Sequence, residues 1–354
     1  MEQHEIGLYR LINQKIVGEV QHTAEEILTW MGAMQAQDYK QAVWAVGLRM
    51  NTTLKAVEQA IADAKILRTW SQRGTIHFIP AQDAKWMLQL CASRSLSTHG
   101  RRMSQLELTD EIMRQAEKVI VRALYGRKIF TRAEMFALLN EAGISTEGQR
   151  GYHILWHLAH IGIICIGPNQ DKDQTFVLLD DWVPDLRQLT LDEALTELVW
   201  RYFSSHGPAT DYDFARWTGL TLTDTRKGIH NNDSRLTSFK MGDMTYWMAD
   251  TTPLIHTQSV YLLPGFDEYL LGYQDRSAII ADDHFQKIVP GNNGVFKPMI
   301  VVDGQVIGTW GYKVTKKSAD ITLAPFVPMD DIADSISHAT TAFSKFIGLD
   351  VRLV

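Results

Sequence analysis

Cysteine is nearly absent from this 354-residue chain: Cys91 and Cys165 are its only two, both in apolar surroundings and neither with a CxxC partner. A disulfide framework and a cysteine-based zinc site are thereby excluded, and a reducing compartment fits best. Long apolar runs are missing as well, none approaching the roughly 20 residues that span a bilayer. The N-terminus, MEQHEIGLYRLINQK, has neither the basic start nor the apolar core of a secretory signal. No membrane association and a cytoplasmic location are expected. The chain also lacks a P-loop, a strand-anchored GxGxxG, an HExxH and a GxSxG, so nucleotide hydrolysis, dinucleotide redox chemistry, zinc proteolysis and the α/β-hydrolase reaction lose their primary evidence. Net positive charge is wanting too. The 35 Lys and Arg residues face 41 Asp and Glu, leaving −6, which as a global sum argues against nucleic acid.

The composition that is present, 45% hydrophobic and 21% charged, is that of a folded protein long enough for two or three domains. The charge is unevenly spread. Residues 1–105 carry 12 positive and 9 negative side chains, residues 106–250 carry 15 and 21, and residues 251–354 carry 8 and 11. Between Lys65 and Arg102, seven basic residues face the single acid Asp83, a stretch of +6 inside an acidic protein.

Helix starts recur. Thr23–Glu26, Thr131–Glu134 and Thr190–Glu193 have the spacing of capping boxes, with Thr210–Asp213 a weaker relative. Ile27, Trp30, Met31 and Met34 mark one buried helical face, and Leu54, Val57, Ile61 and Ala64 another. Two β-rich runs, Ile66–Trp70 and Thr75–Ile79, flank Ser71-Gln-Arg-Gly74 and predict a hairpin. Helices followed by a hairpin are the element order of a winged helix. The order repeats with helices over about Thr109–Tyr125, Thr131–Gly143 and Gln149–His160 before Ile163–Gly167 and Thr175–Leu179. It repeats again from Thr190 to the runs Leu236–Lys240 and Met244–Met248. Beyond residue 250, short β runs at Ser259–Leu263, Met299–Val302, Val306–Trp310 and Ile321–Pro325 precede a last helix over about Asp330–Phe346, with Ile332, Ile336, Ala339 and Phe343 on one face. The expected fold is α+β: three tandem winged-helix (helix-turn-helix) modules at 1–105, 106–186 and 187–250, then an antiparallel β-barrel-like domain with a terminal helix at 251–354.

His153, His157 and His160 line one helical face but lack a fourth ligand, so no metal site is expected. Met34-Gln35-Ala36-Gln37-Asp38 stands where one helix ends and the next begins. In a non-helical stretch Gln35 and Gln37 point the same way, with small Ala36 turned inward. An amide both donates to and accepts from water, so a pair can orient a nucleophilic water, and Asp38 is the neighbouring group able to act as a base. On residue types alone, ordinary surface polar chemistry at a helix end is the better account of this segment.

The segments 34–39 (MQAQDY), 72–78 (QRGTIHF), 263–276 (LPGFDEYLLGYQDR), 296–298 (FKP) and 308–310 (GTW) together resemble the AlkZ-type DNA glycosylases, in order and over nearly the whole chain. The resemblance implies tandem winged helices with a C-terminal β-barrel and excision of N-alkylated (N7 or N3) purines, bulky adducts and interstrand crosslinks among them. It also implies a Gln-aliphatic-Gln catalytic signature, which falls on Gln35 and Gln37 with Ala36 as a small central residue. No cofactor or metal is implied, and the partner is double-stranded DNA carrying alkylated purines. Phosphate contacts are expected from Lys65, Arg68 and Arg73 at the first hairpin, from Arg101 and Arg102 beyond it, and from Lys316 and Lys317 at the tip of a turn over Lys313–Asp320. His77, alternating with Ile76 and Phe78, is expected to face away from the core and either line the site or be a half-exposed strand residue. Adjacent acids Asp267 and Glu268 point apart and suit a structural role, with Arg276 as ion-pair partner. A monomer is expected, since the tandem array supplies several modules in one chain. The rival reading is a winged-helix DNA-binding regulator without catalysis, or more distantly an interaction scaffold; neither needs Gln-x-Gln.

Overall fold

The computed structural model describes residues 2–18, 21–249, 260–328 and 333–354. The expected module boundary at 250/251, Ser259 of the expected strand and the start of the last helix at Asp330 with Ile332 lie outside the described residues. The architecture is mixed α+β. Two compact units form: one from Met1–Val57, Thr196–Trp217 and Thr221–Val354, the other from Glu58–Leu195 and Thr218–Leu220. Among the described residues no helix is long and apolar enough to cross a membrane.

The second unit is built on a sheet. Strands Ile66–Gln72 and Thr75–Pro80 pair antiparallel as the sequence predicts. They turn through Arg73 and Gly74, both at positive φ (49° and 71°), the conformation that matches strand twist in a two-residue hairpin and that glycine adopts without strain. Strands Ile164–Ile166 and Thr175–Leu178 form the second expected hairpin. Arg68 pairs with Ile166, so both hairpins belong to one sheet, and the short strand Phe130–Thr131 extends it against Thr175 and Phe176. Helices Ala84–Gln105 and Arg150–His160 pack on Ile66–Gln72, every residue of which is buried.

The first unit holds a five-stranded sheet in the order Asp350–Leu353, Ser318–Pro325, Gln305–Val314, Met299–Val302, Val260–Leu263. It is not purely antiparallel as expected: Asp350–Leu353 runs parallel to Ser318–Pro325. The helix Ala333–Ile347 lies in the connection between them and supplies the crossover that a parallel pair requires. That helix packs on Tyr39–Met50, where Trp44 meets Phe343 and Phe346 at ring centroids 5.1 and 4.9 Å apart. Gly47 admits this approach, because a Cβ there would overlap the Phe346 ring. The Trp44 indole donates to the Leu262 carbonyl at 2.9 Å, tying the helix to the sheet. The third expected hairpin, Leu236–Met241 with Met244–Ala249, is a separate two-stranded sheet.

Candidate active site

In the first unit, the bridge between helices Ala24–Met31 and Tyr39–Met50 cannot continue either helix. Gly32 at φ 77° ends the first, and Asp38, in extended backbone, starts the second by accepting from the N–H groups of Lys40 and Gln41. Met34–Gln35 is therefore extended. Ala36 is fully buried, as its turning inward requires; Gln35 is 9% exposed and Gln37 stands in solvent. The Gln35 side chain folds so that Oε1 accepts from the Gln37 backbone N–H at 3.2 Å. Only the amide oxygen can accept there, so this bond sets which way the amide faces. Asp38, expected as a neighbouring base, has its Oδ1 engaged as a helix cap.

A second carboxylate reaches the same segment from far along the chain. Glu268, 2% exposed, accepts from the Gln35 backbone N–H at 2.7 Å through Oε1 and from the Trp217 indole N–H at 2.9 Å through Oε2. His206 Nε2 lies 3.8 Å from the same Oε2. Burial holds that imidazole below its ordinary range, with Glu268 only partly opposing, so it is neutral at neutral pH. Gly272 leaves room for the arrangement, since a Cβ would come within 2.7 Å of both the Glu268 carbonyl oxygen and His206 Cδ2.

Asp267 points elsewhere. It caps the short helix Glu268–Leu271 through the Tyr269 N–H and accepts a two-pronged bond from Arg49 at 2.9 and 2.8 Å, both side chains fully buried. Arg49 also donates to the carbonyls of Gln14 and Ala45. The ion-pair partner is thus Arg49, not the expected Arg276, whose Nε donates to the Leu270 carbonyl. The expected divergence of the two acids does hold. Together they fasten both the bridge and the helix that follows it.

Beside the first turn of Tyr39–Met50, a cleft of about 480 Å³ is lined by Lys40, Gln41, Pro298, Trp310 and Tyr312, among others. Burial raises the Tyr312 phenol, and the Asp38 carboxylate adds to that. Lys316 and Lys317 are exposed in the turn between Gln305–Val314 and Ser318–Pro325, as expected.

In the second unit, Lys65, Arg73 and Arg101 are exposed. Arg68 is not: it is 5% exposed, its guanidinium 6.0 Å from the Phe78 ring centre. Arg102 is bound to Gln149 at 2.8 Å and reaches His153 at 3.5 Å. His77, expected to face away from the core, is fully buried, with Nδ1 3.0 Å from the Thr75 carbonyl. Alternation fails because this strand is buried along nearly its whole length, not on one face only. Of the three histidines on the Arg150–His160 helix, His153 bonds His99 at 2.8 Å and His160 lies over Trp156 at 3.5 Å between ring centres. Among the described residues no cluster of His, Cys, Asp and Glu has metal-binding geometry.

The partners of Glu268, the Gln35 N–H and the Trp217 indole, are what sequence reasoning missed. A signal for such partners was available: two acids inside an otherwise apolar stretch, Leu262 to Tyr273, must be paired if the stretch is buried.

A model of the family described as DNA glycosylase AlkZ-like matches residues 28–346. The chain is 26% identical to an interstrand DNA cross-link repair glycosylase of Streptomyces sahachiroi over 99% of this chain and 98% of that protein. Its fold is that of the solved Streptomyces sahachiroi DNA glycosylase AlkZ, with a TM-score of 0.81, 23% identity and full coverage of both chains.

Proposed function

This chain belongs to the AlkZ-like DNA glycosylase family, and we propose that it excises N7- or N3-alkylated purines by directing water to the anomeric carbon with Gln35 and Gln37. Such a purine is cationic and already a good leaving group. Water oxygen bonds to C1′ as the C1′–N bond breaks, the bonding pair neutralises the purine, and the water's surplus proton passes to solvent. An oxocarbenium-like transition state of this kind needs positioned water more than a strong acid. The observation that carries the reading is the tethered bridge: a non-helical Gln-Ala-Gln segment with the Gln35 amide oriented by the Gln37 N–H. Its remaining lone pair can accept from a water whose own lone pair faces the sugar.

The duplex is proposed to meet the exposed cations Lys65, Arg73, Arg101, Lys316 and Lys317 through its phosphates. Arg68 and Arg102, turned to internal partners, support the protein instead. The helix–hairpin repeats fit three winged-helix modules, and a cytoplasmic monomer acting without cofactor is the simplest working form. The name of the Streptomyces relative, a cross-link repair glycosylase, supports extending the substrate range to bulky and crosslinked adducts.

The test is a duplex carrying one N7-alkylguanine, incubated with enzyme and then cleaved chemically at abasic sites. Wild type should yield product on small or bulky adducts, and Gln35→Ala and Gln37→Ala should slow it at least tenfold, roughly the loss of an oriented water contact. No product from wild type on either adduct overturns the substrate class. Equal rates for all three proteins overturn the residue assignment.

A further inference from the structure

The Gln35 side chain can hold water at a fixed point only if its own backbone is fixed, and the bridge that carries it is only two residues of strand. Neither adjoining helix supplies the Gln35 N–H with a partner. That partner is Glu268, 233 residues away in the chain. Its second oxygen is held by the Trp217 indole, so the carboxylate cannot swing out of line without giving up a bond in a buried setting. Asp267, its neighbour, is locked to Arg49 in the helix that follows the bridge. The short Glu268–Leu271 helix is therefore referenced to the bridge and to the helix after it. We infer that Glu268 is a positioning residue for the reaction: through the Gln35 backbone it sets where the Gln35 amide presents its oxygen. This rests on the assignment of Gln35 to water placement above.

The chemistry of the site makes the claim testable with a change of one atom. The Gln35 N–H and the Trp217 indole N–H, which Glu268 binds, are both donors, and a carboxylate offers an acceptor to each, with His206 Nε2 beyond hydrogen-bond distance at 3.8 Å from Oε2. A glutamine at 268 has one oxygen and one NH2, so one of the two N–H groups must face another donor. Glu268→Gln keeps the volume and breaks this match. Under single-turnover conditions with the N7-alkylguanine duplex, Glu268→Gln should slow excision about tenfold to a hundredfold, as displacement of a reacting group by about an ångström does. Affinity for the lesion duplex should stay within about twofold of wild type, since no phosphate contact is involved.

The discriminating measurement is the double-mutant cycle. If Glu268 acts through Gln35, Glu268→Gln in a Gln35→Ala background should cost no more than about twofold beyond Gln35→Ala alone, the coupled behaviour of groups acting as a unit. Additive losses, or an excision rate for Glu268→Gln within twofold of wild type, overturn the proposal while leaving Gln35 catalytic. A wild-type rate for Gln35→Ala instead overturns the site assignment itself, so the two failures are distinct. If Glu268→Gln does not fold, the same cycle with Glu268→Asp keeps the buried charge and withdraws the acceptor by one methylene; it should show a smaller loss with the same non-additivity. Failure of both to fold would assign Glu268 to folding alone and overturn the proposal.

Discussion

The two units bury charged and neutral polar groups in different proportions. The first buries charge: Arg49 against Asp267, Glu268 between two N–H donors, and Arg10 with its Nε on the Pro208 carbonyl and its guanidinium 3.5 Å from the centre of the Tyr273 ring. The second buries fewer charges, Arg68 and an Asp83 held by Arg187 and the Trp86 indole, and relies more on neutral groups. His153 and His160 are kept uncharged by desolvation, and the Cys91 thiol is pushed up to about 12 by the same cause. Connectivity explains the contrast. The second unit joins hairpins whose strands are near in sequence, so sheet pairing and apolar burial set its register. The first must hold together segments more than 200 residues apart, and a charge that is costly to misplace fixes such a contact more narrowly than apolar area does.

The largest effect should come from breaking a charge in the first unit. Arg49→Ala leaves Asp267 buried without its cation and should cost about 3–5 kcal/mol, read as the shift in a urea denaturation midpoint. Arg49→Met with Asp267→Leu, which removes both charges, should recover most of that loss. If the single and double changes cost the same, the pair is simply well-packed volume and the contrast between the units collapses.

The second unit and the outer parts of the first were largely legible beforehand because their signals are local. Capping spacing located helix starts at Thr23, Thr131 and Thr190, and short β-rich runs around turn residues located all three hairpins. Gln35 and Gln37 are proposed on signals of the same local kind, composition at a helix junction together with family likeness. What stayed hidden is long-range. No periodicity links Gln35 to Glu268 or Arg49 to Asp267, and adjacent acids carry no mark of which partner each will find. His77 and Arg68 went astray for a related reason. Alternation reports a face only when one side of a strand meets water, and both of these residues lie on strands buried almost throughout.

Acid should separate the units next. His153 and His160 are lowered from 6.5 to about 4 in the folded protein, so the unfolded chain takes up their protons first. Their contribution is whole above about pH 6.5 and is lost as pH falls toward 4, below which both states are protonated and the loss stops. Hydrogen-exchange protection should therefore fall across that window in peptides from Arg150–His160 before it falls in peptides from Tyr39–Met50. His160→Gln should remove part of the slope. Parallel decline in both regions would mean that these imidazoles make the second unit no more acid-sensitive than His206, likewise lowered by burial, makes the first.

The smallest effect serves as the control. Both units use the same surface device at a helix start. Thr23 accepts from the Glu26 N–H at 3.2 Å while its own N–H reaches the Glu26 carboxylate at 2.8 Å, and Thr131 with Glu134 repeats this at 3.3 and 2.6 Å. In each box the bonds from the threonine hold the glutamate below the ordinary carboxylate range. Thr23→Ala and Thr131→Ala should each cost about 1 kcal/mol, equal to within roughly 0.5 kcal/mol when measured by denaturant unfolding, since each removes the same bonds at an exposed helix start. Equal losses here, beside unequal responses to charge removal and to acid, would confine the difference between the units to their interiors. Unequal losses would mean that the units differ in how their helix starts unfold, and the buried charges would no longer be the sole ground of the contrast.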